Sequence, residues 1–345
     1  MKFHQTGSKR MGSKVTAADV ARVAGVSPAT VDRVLNARGG VAKDKEARVL
    51  TAARQLRLDR ALDLRAARTL RVAAFLQPPE NPFHAVLAQA FADQNKGPNP
   101  YNLQTKVYFV GPDDSPAKTI ARIAPNYDAL IVSQPQDHAL ARTLQSLATD
   151  GVPVISLATR IMAEGVTHVG PDDYRTGRVA GELVGRCLGR AGGTVLAIAG
   201  HLSMAGQAAR CDGFRDVLAE RFPRCHLLPL GESRDSGSRA AALVGDALTA
   251  HPDLGAIYNA SAGTVPIADL LTRRGLAGQV MFFTHELISE RRALLANGVL
   301  DAVLDQDPVK EVAIALHVVA DAFGRSPLKV ESTEPPVRIY FRESL

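Results

Sequence analysis

Short apolar runs separated by amphipathic helical segments occupy most of the chain, and this alternation constrains the fold more than any other feature. From Leu70 onwards the runs LRVAAFL, YDALIVSQ, VPVISLA, GTVLAIAG, LGAIYNAS and QVMFFTH are typical of buried strands. Helical patterns separate them, for example at 84–95, 139–150, 176–188 and 206–220. Strands that alternate with helices form parallel sheets, which hold ligands at the carboxyl ends of their strands. The sequence therefore predicts an α/β body with its functional residues in the loops after the strands.

A different pattern precedes the body, in the segment VTAADVARVAGVSPATVDRVLN. Thr16 and Asp19 have the spacing of a capping box, which predicts the start of a helix. Gly25 can adopt the positive φ of a tight turn after that helix. The apolar residues expected to face inward from this first helix are Val20, Val23 and Ala24.

A second helix is predicted directly after the turn. Ser27 is suited to the N-cap and Pro28 to the first helical position. The residues of this helix expected to face inward are Val31, Val34 and Leu35. A third helix, at about 43–56, is expected to complete a small core with Ala47, Val49, Leu50 and Leu56. Together these patterns predict a three-helix, helix-turn-helix head.

The distribution of charge separates this head from the body. Met1 to Arg71 contains 16 lysines and arginines against 6 aspartates and glutamates, a net charge of +10, whereas the remainder has 25 against 29, or −4. A basic segment of this kind favours a polyanionic partner, because each neutralised phosphate releases counterions. Charge alone leaves nucleic acid, a membrane surface and a solvated tail open, and the helix-turn-helix pattern favours nucleic acid.

Several other classes of protein are disfavoured. No apolar run approaches the roughly 20 residues of a membrane span, and no secretory signal begins the chain, so we expect a cytoplasmic protein without a membrane partner. The cysteines Cys187, Cys211 and Cys225 show no CxxC pairing, so neither a disulfide framework nor a metal site is predicted. A GxGxxG after a first strand, a P-loop and a GxSxG are all missing from the sequence. We therefore expect neither an enzyme nor a cofactor.

The stretch DVARVAGVSPATVDRVLN resembles the N-terminal signature of the LacI/GalR family of bacterial regulators. The resemblance implies that the second helix enters the major groove of a double-stranded DNA operator. Arg33 is the best candidate for a bidentate contact with guanine. The residues that the resemblance places at the DNA are Thr16, Ser27, Pro28, Ala29, Thr30, Asp32, Arg33 and Asn36.

Asp32 departs from the family pattern, which usually has serine at this position. A carboxylate is repelled by phosphate, so we expect Asp32 to orient a neighbouring arginine, Arg22 or Arg33, or to accept from cytosine N4. The alternative is that Asp32 faces solvent.

The basic stretch LRLDRALDLRAARTL follows the head. In the family this region is a hinge helix that inserts a leucine into the minor groove and bends the duplex. Ala67 stands where that leucine is expected, and the usual Pro-Asn before the hinge is missing, so Leu64 and Arg65 are the candidates here. Whether this chain kinks its operator is left open by the sequence.

The body resembles the type I periplasmic sugar-binding fold, which is the effector domain of the same family. The resemblance rests on NPFH after the first strand, HVGPDDYRTGRVAG, ARCDGF and LDQDP. It implies two lobes that close on a ligand. The residues that match cleft positions are Asn81, Phe83, His84, Arg160, Asp172, Arg210, Asn259, His285 and Gln306.

Two departures in the cleft bear on the ligand. The Asn-Asp of the family is replaced by NASAGT, which leaves Asn259 and Ser261, and the aspartate expected after VMFF becomes His285. Carboxylates are thereby lost beside Arg160 and Arg210, so a more positive cleft is predicted. Arginines suit carboxylates and phosphates, which favours an acidic or phosphorylated sugar-like effector, with a neutral sugar or polyol as the alternative.

The predicted organisation is therefore an N-terminal three-helix helix-turn-helix domain followed by a two-lobed, parallel-sheet domain of the periplasmic-binding-protein type. The expected boundaries are a tail at 1–14, the DNA-binding domain at 15–60, a hinge at 61–71 and the effector domain at 72–345. Lobe 1 is expected at about 72–170 and 302–326, and lobe 2 at about 171–301 and 327–345. The expected function is a homodimeric transcription regulator that acts as a repressor, with a solute receptor of a transporter as the alternative.

Overall fold

The computed structural model describes residues 16–36, 38–56, 68–111, 114–202, 204–326 and 329–345. These residues form two compact units. One unit combines the described residues up to Leu70 with Pro98–Gln104 and the described part of 317–330, and the other holds the remainder. The predicted tail at 1–14 and most of the predicted hinge lie outside the described residues.

The head consists of three helices, as the sequence predicts. Both halves of the capping box are present, since Thr16 accepts from the backbone of Asp19 and Asp19 accepts from the backbone of Thr16. Gly25 has φ 64°, in the left-handed region that glycine adopts without strain. Ser27 is the N-cap of the second helix. The helices are α1 (Ala17–Ala24), α2 (Pro28–Leu35) and α3 (Lys43–Gln55).

The core of the head differs from the predicted one at Val23. This side chain is 48% exposed, whereas Ala21 is buried beside Val20 and Ala24. The buried face of α1 is centred between Val20, Ala24 and Ala21, and at about 100° per residue Val23 lies outside it. The prediction for Val23 is therefore wrong. The buried cluster of the head contains Val20, Ala21, Ala24, Val31, Leu35, Val49, Ala52 and Ala53, with Val26, Val34 and Leu56 partly buried against it.

The first sheet of the body has the strand order β2-β1-β3-β4-β5. Its strands are β1 (Leu70–Leu76), β2 (Leu103–Phe109), β3 (Ala129–Ser133), β4 (Val154–Leu157) and β5 (Val166–Val169). The pairs β1 with β3, β3 with β4 and β4 with β5 are parallel. The intervening helices are α4 (Pro82–Lys96), α5 (Pro116–Ile123) and α6 (His138–Thr149).

The second sheet has the order β12-β11-β10-β9-β6-β7, and β8 pairs with β6. Its strands are β6 (Gly193–Ala199), β7 (Cys225–Leu227), β8 (Gly231–Glu232), β9 (Leu254–Asn259), β10 (Met281–His285), β11 (Ala302–Asp305) and β12 (Arg338–Tyr340). The helices that accompany it in the chain are α7 (Asp173–Leu188), α8 (Ala205–Arg221), α9 (Gly237–Ala250), α10 (Thr264–Arg273), α11 (Ser289–Ala296) and α12 (Pro308–Ala322). All six strands predicted from apolar runs are present.

The predicted lobe boundary at residue 302 is wrong. Strand β11 pairs in parallel with β10, with Ala302 opposite Phe283, and so belongs to the second sheet. Strand β12 then covers the outer edge of β11 in antiparallel register, with Tyr340 opposite Val303. The apolar run of β11 is only four residues long, so its sheet could not be assigned from the sequence pattern.

Candidate DNA-binding and effector sites

The exposed face of α2 carries the side chains that the sequence places at the DNA. Ser27, Pro28, Ala29 and Arg33 are all exposed, and they lie opposite the buried face of the helix. Within the part of the chain that the structure describes, the Arg33 guanidinium takes part in no hydrogen bond or ion pair. A free guanidinium on an exposed helix face can form the two parallel hydrogen bonds that read guanine.

A shallow groove beside the start of α2 holds the hydroxyl candidates together with two cations. Ser27 and Thr30 line it with Arg22 and Lys45. The hydroxyls of Ser27 and Thr30 are hydrogen bonded at 2.9 Å, and Ser27 Oγ also accepts from the backbone N–H of Thr30 at 3.2 Å. Hydroxyls and cations at a helix N-terminus suit a phosphate. Lys45 was missed because it belongs to α3, which the family signature does not cover.

Thr16 also serves the head as a cap. Its hydroxyl donates to Asp19 Oδ2 at 2.7 Å. Hydrogen bonds from Thr16 hold the pKa of Asp19 below its ordinary value, and Arg22 lowers it further. Arg22 Nη2 lies 2.8 Å from Asp19 Oδ1. Any phosphate contact of Thr16 would therefore share a hydroxyl that already fixes α1.

Asp32 does pair with an arginine, but the two predicted partners are wrong. Arg38 Nη1 donates to Asp32 Oδ2 at 2.9 Å, and the Asn36 amide donates to the other carboxylate oxygen. Asn36 Nδ2 also reaches the backbone oxygen of Asp32 at 3.0 Å. Arg38 comes within reach because the chain turns at the end of α2, where its N–H bonds the carbonyl of Arg33. Asp32 thus braces the turn that follows α2.

The two hinge candidates, Leu64 and Arg65, lie outside the described residues. Their role at the minor groove stays a prediction.

Three loops at the carboxyl ends of body strands carry residues other than glycine in the left-handed region. Ala158 follows β4 with φ 59°, Glu286 follows β10 with φ 61°, and Asp307 lies two residues after β11 with φ 59°. Such conformations cost about 1–3 kcal/mol each and persist where the surrounding structure imposes them, often at ligand sites. They mark the strand ends where a parallel sheet holds its ligand.

Arg210 contacts two distant residues of the body, one of which is another predicted cleft residue. Its Nε donates to Asp173 Oδ1 at 2.7 Å, and its Nη2 donates to Gln306 Oε1 at 3.3 Å. Both partners of the Arg210–Asp173 pair are 12% exposed. Burial by itself lowers the pKa of Arg210, but Asp173, Tyr258 and Glu286 together more than offset this effect, so the arginine keeps its charge. The structure therefore brings Arg210 and Gln306 together, and their contact with an effector stays a prediction.

Asp173, rather than Asp172, is the aspartate that reaches this cluster. Asp172 is exposed, and its side chain caps α7 by accepting from the N–H of Arg175 at 2.9 Å. Its predicted contact with an effector stays untested, but the carboxylate already serves the helix. The two aspartates are adjacent in HVGPDDYRTG, so their roles differ only through the position at which α7 begins. Asp172 is the N-cap, and Asp173 is the first residue of the helix.

Glycines on α7 and α8 allow the close helix packing that places Arg210. A Cβ at Gly177 would lie 1.9 Å from the backbone oxygen of Arg210, and one at Gly213 would lie 2.0 Å from that of Tyr174. No side chain fits at either distance. Gly177 is therefore a positioning residue for Arg210.

We expect Gly177→Ala to destabilise the body by about 2–3 kcal/mol, since overpacking forces the two helices apart. Gly245→Ala on α9 is the matched control, because the atom nearest to its Cβ is the end of the Arg274 side chain at 3.5 Å. That variant should gain about 0.5–1 kcal/mol from helix propensity. Urea denaturation measures both changes, and equal effects of the two variants would contradict the close contact.

His285 is buried among polar partners. Its Nε2 is 2.7 Å from the hydroxyl of Tyr258, and its carbonyl accepts from Arg291 Nη1. Burial lowers the pKa of His285 well below the ordinary value, and Arg210 and Arg291 lower it further. The imidazole is therefore neutral at pH 7 and adds no positive charge to the cleft.

The N-terminal end of α4 carries the three candidates from NPFH. Asn81 caps the helix by accepting from the N–H of Phe83 at 3.1 Å. Phe83 and His84 are buried, with their rings edge to face at 5.6 Å. Burial lowers the pKa of His84 to about 4, although Glu286 opposes the shift.

Two candidates are committed to other contacts. The Asn259 amide is completely buried and donates to the carbonyls of Ser261 at 3.0 Å and Ala262 at 3.2 Å, so it shapes its own loop. Arg160 is exposed and pairs with Glu334 at 2.9 Å. The structure does not join either side chain to the cluster around Arg210.

The predicted positive cleft is wrong. Each of its arginines faces a carboxylate, Arg160 with Glu334 and Arg210 with Asp173, and His285 is neutral. The departures from the family pattern remove carboxylates from this region, but Glu334 and Asp173 supply others. The basis for an acidic or phosphorylated effector is therefore lost.

No group of three histidine, cysteine, aspartate or glutamate side chains that could hold a metal ion occurs among the described residues. In the same residues, no helix is sufficiently long and apolar to cross a membrane.

Comparisons with known proteins bear on both units. Residues 16–58 match the family described as bacterial regulatory proteins, lacI family, and residues 78–325 match the periplasmic binding protein domain family. A curated relative, the ABC transporter periplasmic-binding protein YphF of Escherichia coli (strain K12), is 29% identical over 199 residues. That match covers 53% of this chain and 58% of the relative, so the chain spans little more than half of the relative's length.

Solved structures share the fold of the body. A solute-binding protein from Actinobacillus succinogenes 130z with bound D-allose has a TM-score of 0.71 at 19% identity, covering 80% of this chain and 99% of that one. GanP, a glucose-galactose binding protein from Geobacillus stearothermophilus, gives 0.69 at 19% identity, with 81% and 99% covered. A periplasmic ribose ABC transporter protein from Conexibacter woesei gives 0.69 at 24% identity, with 81% and 93% covered. These likenesses show a two-lobed periplasmic-binding-protein fold.

Proposed function

Because the chain belongs to the lacI family of bacterial regulatory proteins and carries a periplasmic binding protein domain, we propose that it is a homodimeric repressor controlled by a sugar-like effector. The broader assignment, a DNA-binding regulator with an effector domain, follows from the two family matches. The observation that carries the finer proposal is the exposed, unpaired Arg33 on the second helix of a folded helix-turn-helix. The protein acts in the cytoplasm, where its DNA lies.

The DNA side of the proposal rests on α2. Arg33 reads a guanine in the major groove, with Pro28 and Ala29 against neighbouring base edges. Ser27 and Thr30, beside Lys45, hold phosphates and set the register. One head offers few base-reading side chains, so tight binding requires two heads on two half-sites of a near-palindrome.

The effector side rests on the cluster around Arg210. Arg210 and Gln306 present donors and acceptors that suit hydroxyl groups, and Phe83 supplies an apolar surface for a ring face. Structures with the same fold include proteins described with D-allose, glucose and galactose, which supports a sugar-like ligand here. Since the arginines are neutralised, the ligand needs no negative charge.

Control of the operator by the effector is a matter of linkage. A ligand changes DNA affinity only by the difference between its affinities for the DNA-binding and DNA-releasing states of the body. Coupling of this kind amounts to about 1–3 kcal/mol, or five- to 150-fold in affinity. No covalent step is involved, and we assign no catalytic role to any residue.

The alternative is a solute receptor of a transporter, because such a receptor would have the same two-lobed fold as the body of this chain. The similarity to YphF and to solute-binding structures fits that alternative. The lacI-family head is the feature that favours a regulator, because a solute receptor has no use for a DNA-reading helix. A mobility-shift assay on the DNA upstream of the chain's own gene tests the choice, and failure to form any sequence-specific complex would favour the receptor.

Asp32 gives a prediction specific to this head. We expect Asp32→Asn to raise the affinity for non-operator DNA about two- to fivefold, because one charge repelled by phosphate is removed. Preference for the operator over other DNA should fall, since the brace to Arg38 and the turn after α2 is weakened. Fluorescence anisotropy at several salt concentrations measures both quantities.

Asp44→Asn is the matched control, because it removes the same charge from an exposed position on α3. It should raise non-operator affinity without lowering the operator preference. If the two variants behave identically, Asp32 has no role beyond its charge.

A further inference from the structure

A groove on the second lobe of the body is lined by four arginines. It lies between the end of α7, which supplies Arg186 and Arg190 follows, and the segment from α8 to β7, which contains Arg221 and Arg224. Its volume is about 460 Å³, within the range of about 300–1,000 Å³ that small-molecule sites occupy. Among the residues that the structure describes, no acidic side chain lines this groove, which we name the arginine groove.

The arginine groove and the effector candidates lie at opposite edges of the second sheet. Cys225, which lines the groove, is the first residue of β7 and pairs with Gly193 at the start of β6. Asn259 and His285, by contrast, are the last residues of β9 and β10. The seven residues of β6 separate the two edges by roughly 20 Å at the rise of a strand. The groove is therefore separate from the cleft.

The charges of Arg186 and Arg221 are only partly balanced. Both arginines bond one carboxylate, that of Glu182 on α7. Arg186 Nη2 lies 2.7 Å from Glu182 Oε1, and Arg221 Nη1 lies 2.7 Å from Oε2. Glu220, which precedes Arg221 in the chain, is already held by Arg178 through hydrogen bonds of 3.0 and 2.6 Å. One carboxylate thus serves two arginines of the groove.

The other two arginines have no carboxylate partner among the described residues. Within that part of the chain, the Arg190 guanidinium forms no hydrogen bond or ion pair. Arg224 Nη1 donates to the carbonyl oxygen of Arg190 at 2.9 Å, which joins the two segments that form the groove. A guanidinium has five N–H donors, so most donors of this pair are available to a ligand.

Stabilisation of helix ends does not account for Arg190 and Arg224. Arg186 and Arg221 lie in the last turns of α7 and α8, where a cation offsets the partial negative charge of the helix end. Arg190 and Arg224 lie beyond the two helices. Each helix end contributes about half a negative charge, so with Glu182 included roughly two positive charges remain unbalanced in the groove.

Phe222 and Pro223 give the groove an apolar wall. A Cβ at Gly185 would lie 2.3 Å from Cγ of Phe222 and 2.5 and 2.6 Å from its two Cδ atoms, so the ring packs directly on the backbone of α7. This contact fixes the ring beside the arginines. At Gly189, which also lines the groove, a Cβ would meet nothing within 4 Å, so the groove is open there. The groove thus offers apolar surface next to its charges.

We propose that the arginine groove binds a small organic phosphate, with Arg190 and Arg224 as its principal donors. A phosphate monoester has a charge of about −1.5 to −2 at pH 7 and three acceptor oxygens, which suit the excess charge of the groove and the forked donors of two arginines. A carboxylate offers one charge and two oxygens, and so balances the groove less well. The carbon part of the ligand lies against Phe222 and Pro223. This site goes beyond the proposed function and does not depend on the identity of the effector.

Calorimetry with matched compounds tests the proposal on the full chain. The probes are inorganic phosphate, glycerol phosphate with glycerol, and adenosine monophosphate with adenosine. We expect at least one organic phosphate to bind about tenfold tighter, or more, than both its unphosphorylated parent and inorganic phosphate. Its affinity should fall as sodium chloride is added, because salt screens exposed charges.

Arg190→Gln and Arg224→Gln should each lower the affinity for that organic phosphate by about tenfold, because charge-assisted hydrogen bonds are lost. Arg190→Lys, which keeps the charge and loses the planar fork, should recover only part of the loss. Arg273→Gln and Arg292→Gln are the matched controls, since they remove exposed arginines from α10 and α11 of the same lobe, and they should leave the affinity nearly unchanged. Lys45→Gln, in the groove beside α2, should have equally little effect.

The inference is wrong if neither organic phosphate binds, or if a parent compound or inorganic phosphate binds as tightly as the organic phosphate. It is also wrong if the double variant Arg190→Gln with Arg224→Gln keeps the affinity, because the probe would then occupy another site. Should Arg224→Gln fail to fold after losing its bond to the carbonyl of Arg190, Arg190→Gln carries the test alone. Each of these results leaves the proposed regulator standing, since its own tests use operator DNA.

Discussion

Arg33→Ala should lower the affinity for the operator by roughly five- to 150-fold and relax the preference at one base pair in each half-site. A bidentate arginine discriminates its guanine by about 1–3 kcal/mol, and the loss removes that discrimination. The guanidinium lies exposed on α2 and forms no hydrogen bond or ion pair within the described head, so the substitution should leave the fold intact. Binding-site selection followed by anisotropy titration measures the base preference and the affinity.

Arg33→Lys is the informative control, because it keeps the positive charge and loses the forked geometry. It should retain most of the affinity for non-operator DNA while losing preference at the same base pair. An unchanged preferred sequence in the alanine variant would mean that Arg33 does not read a base.

Arg210→Met should destabilise the body by about 3–5 kcal/mol. Asp173 is 12% exposed and 2.7 Å from Arg210, so removal of the arginine leaves a buried carboxylate without its cation. The response of operator binding to effector should be lost as well, since Arg210 also holds Gln306 at the cleft. Urea denaturation measures the first effect, and operator titration with ligand measures the second.

The double variant Arg210→Met with Asp173→Leu separates stability from function. Replacing both partners of a buried pair by apolar side chains is often neutral or stabilising, so folding should recover to within about 1 kcal/mol of the parent. The effector response should stay lost. A double variant that regains the response would show that the pair has only a structural role.

The helices of the head could be predicted from the sequence because their signals are local. Thr16, Ser27 and Pro28 fix two helix starts within three residues of themselves, and Gly25 fixes the turn between them. The prediction for Val23 is wrong because an apolar side chain of a helix is not necessarily a buried one. All the buried side chains of α1 together define the direction of its inward face, and Ala21 lies on that face instead of Val23.

The cleft was harder to predict because its partners are distant in sequence. Arg210 and Gln306 could be found from their motifs, but the pairing of Arg210 with Asp173 depends on how α7 and α8 pack. The partner of Asp32 was missed for a similar reason, since Arg38 lies beyond the end of the helix.

The central claim is that occupation of the cleft controls the affinity of the head for its operator. The direct measurement is an anisotropy titration of the selected operator by the full chain, repeated at rising concentrations of a ligand that calorimetry shows to bind the body. The dissociation constant for the operator should change by five- to 150-fold and level off as the ligand saturates its site. By reciprocity, operator DNA should change the affinity for the ligand by the same factor. A ligand that saturates the body and leaves operator affinity unchanged would contradict the account.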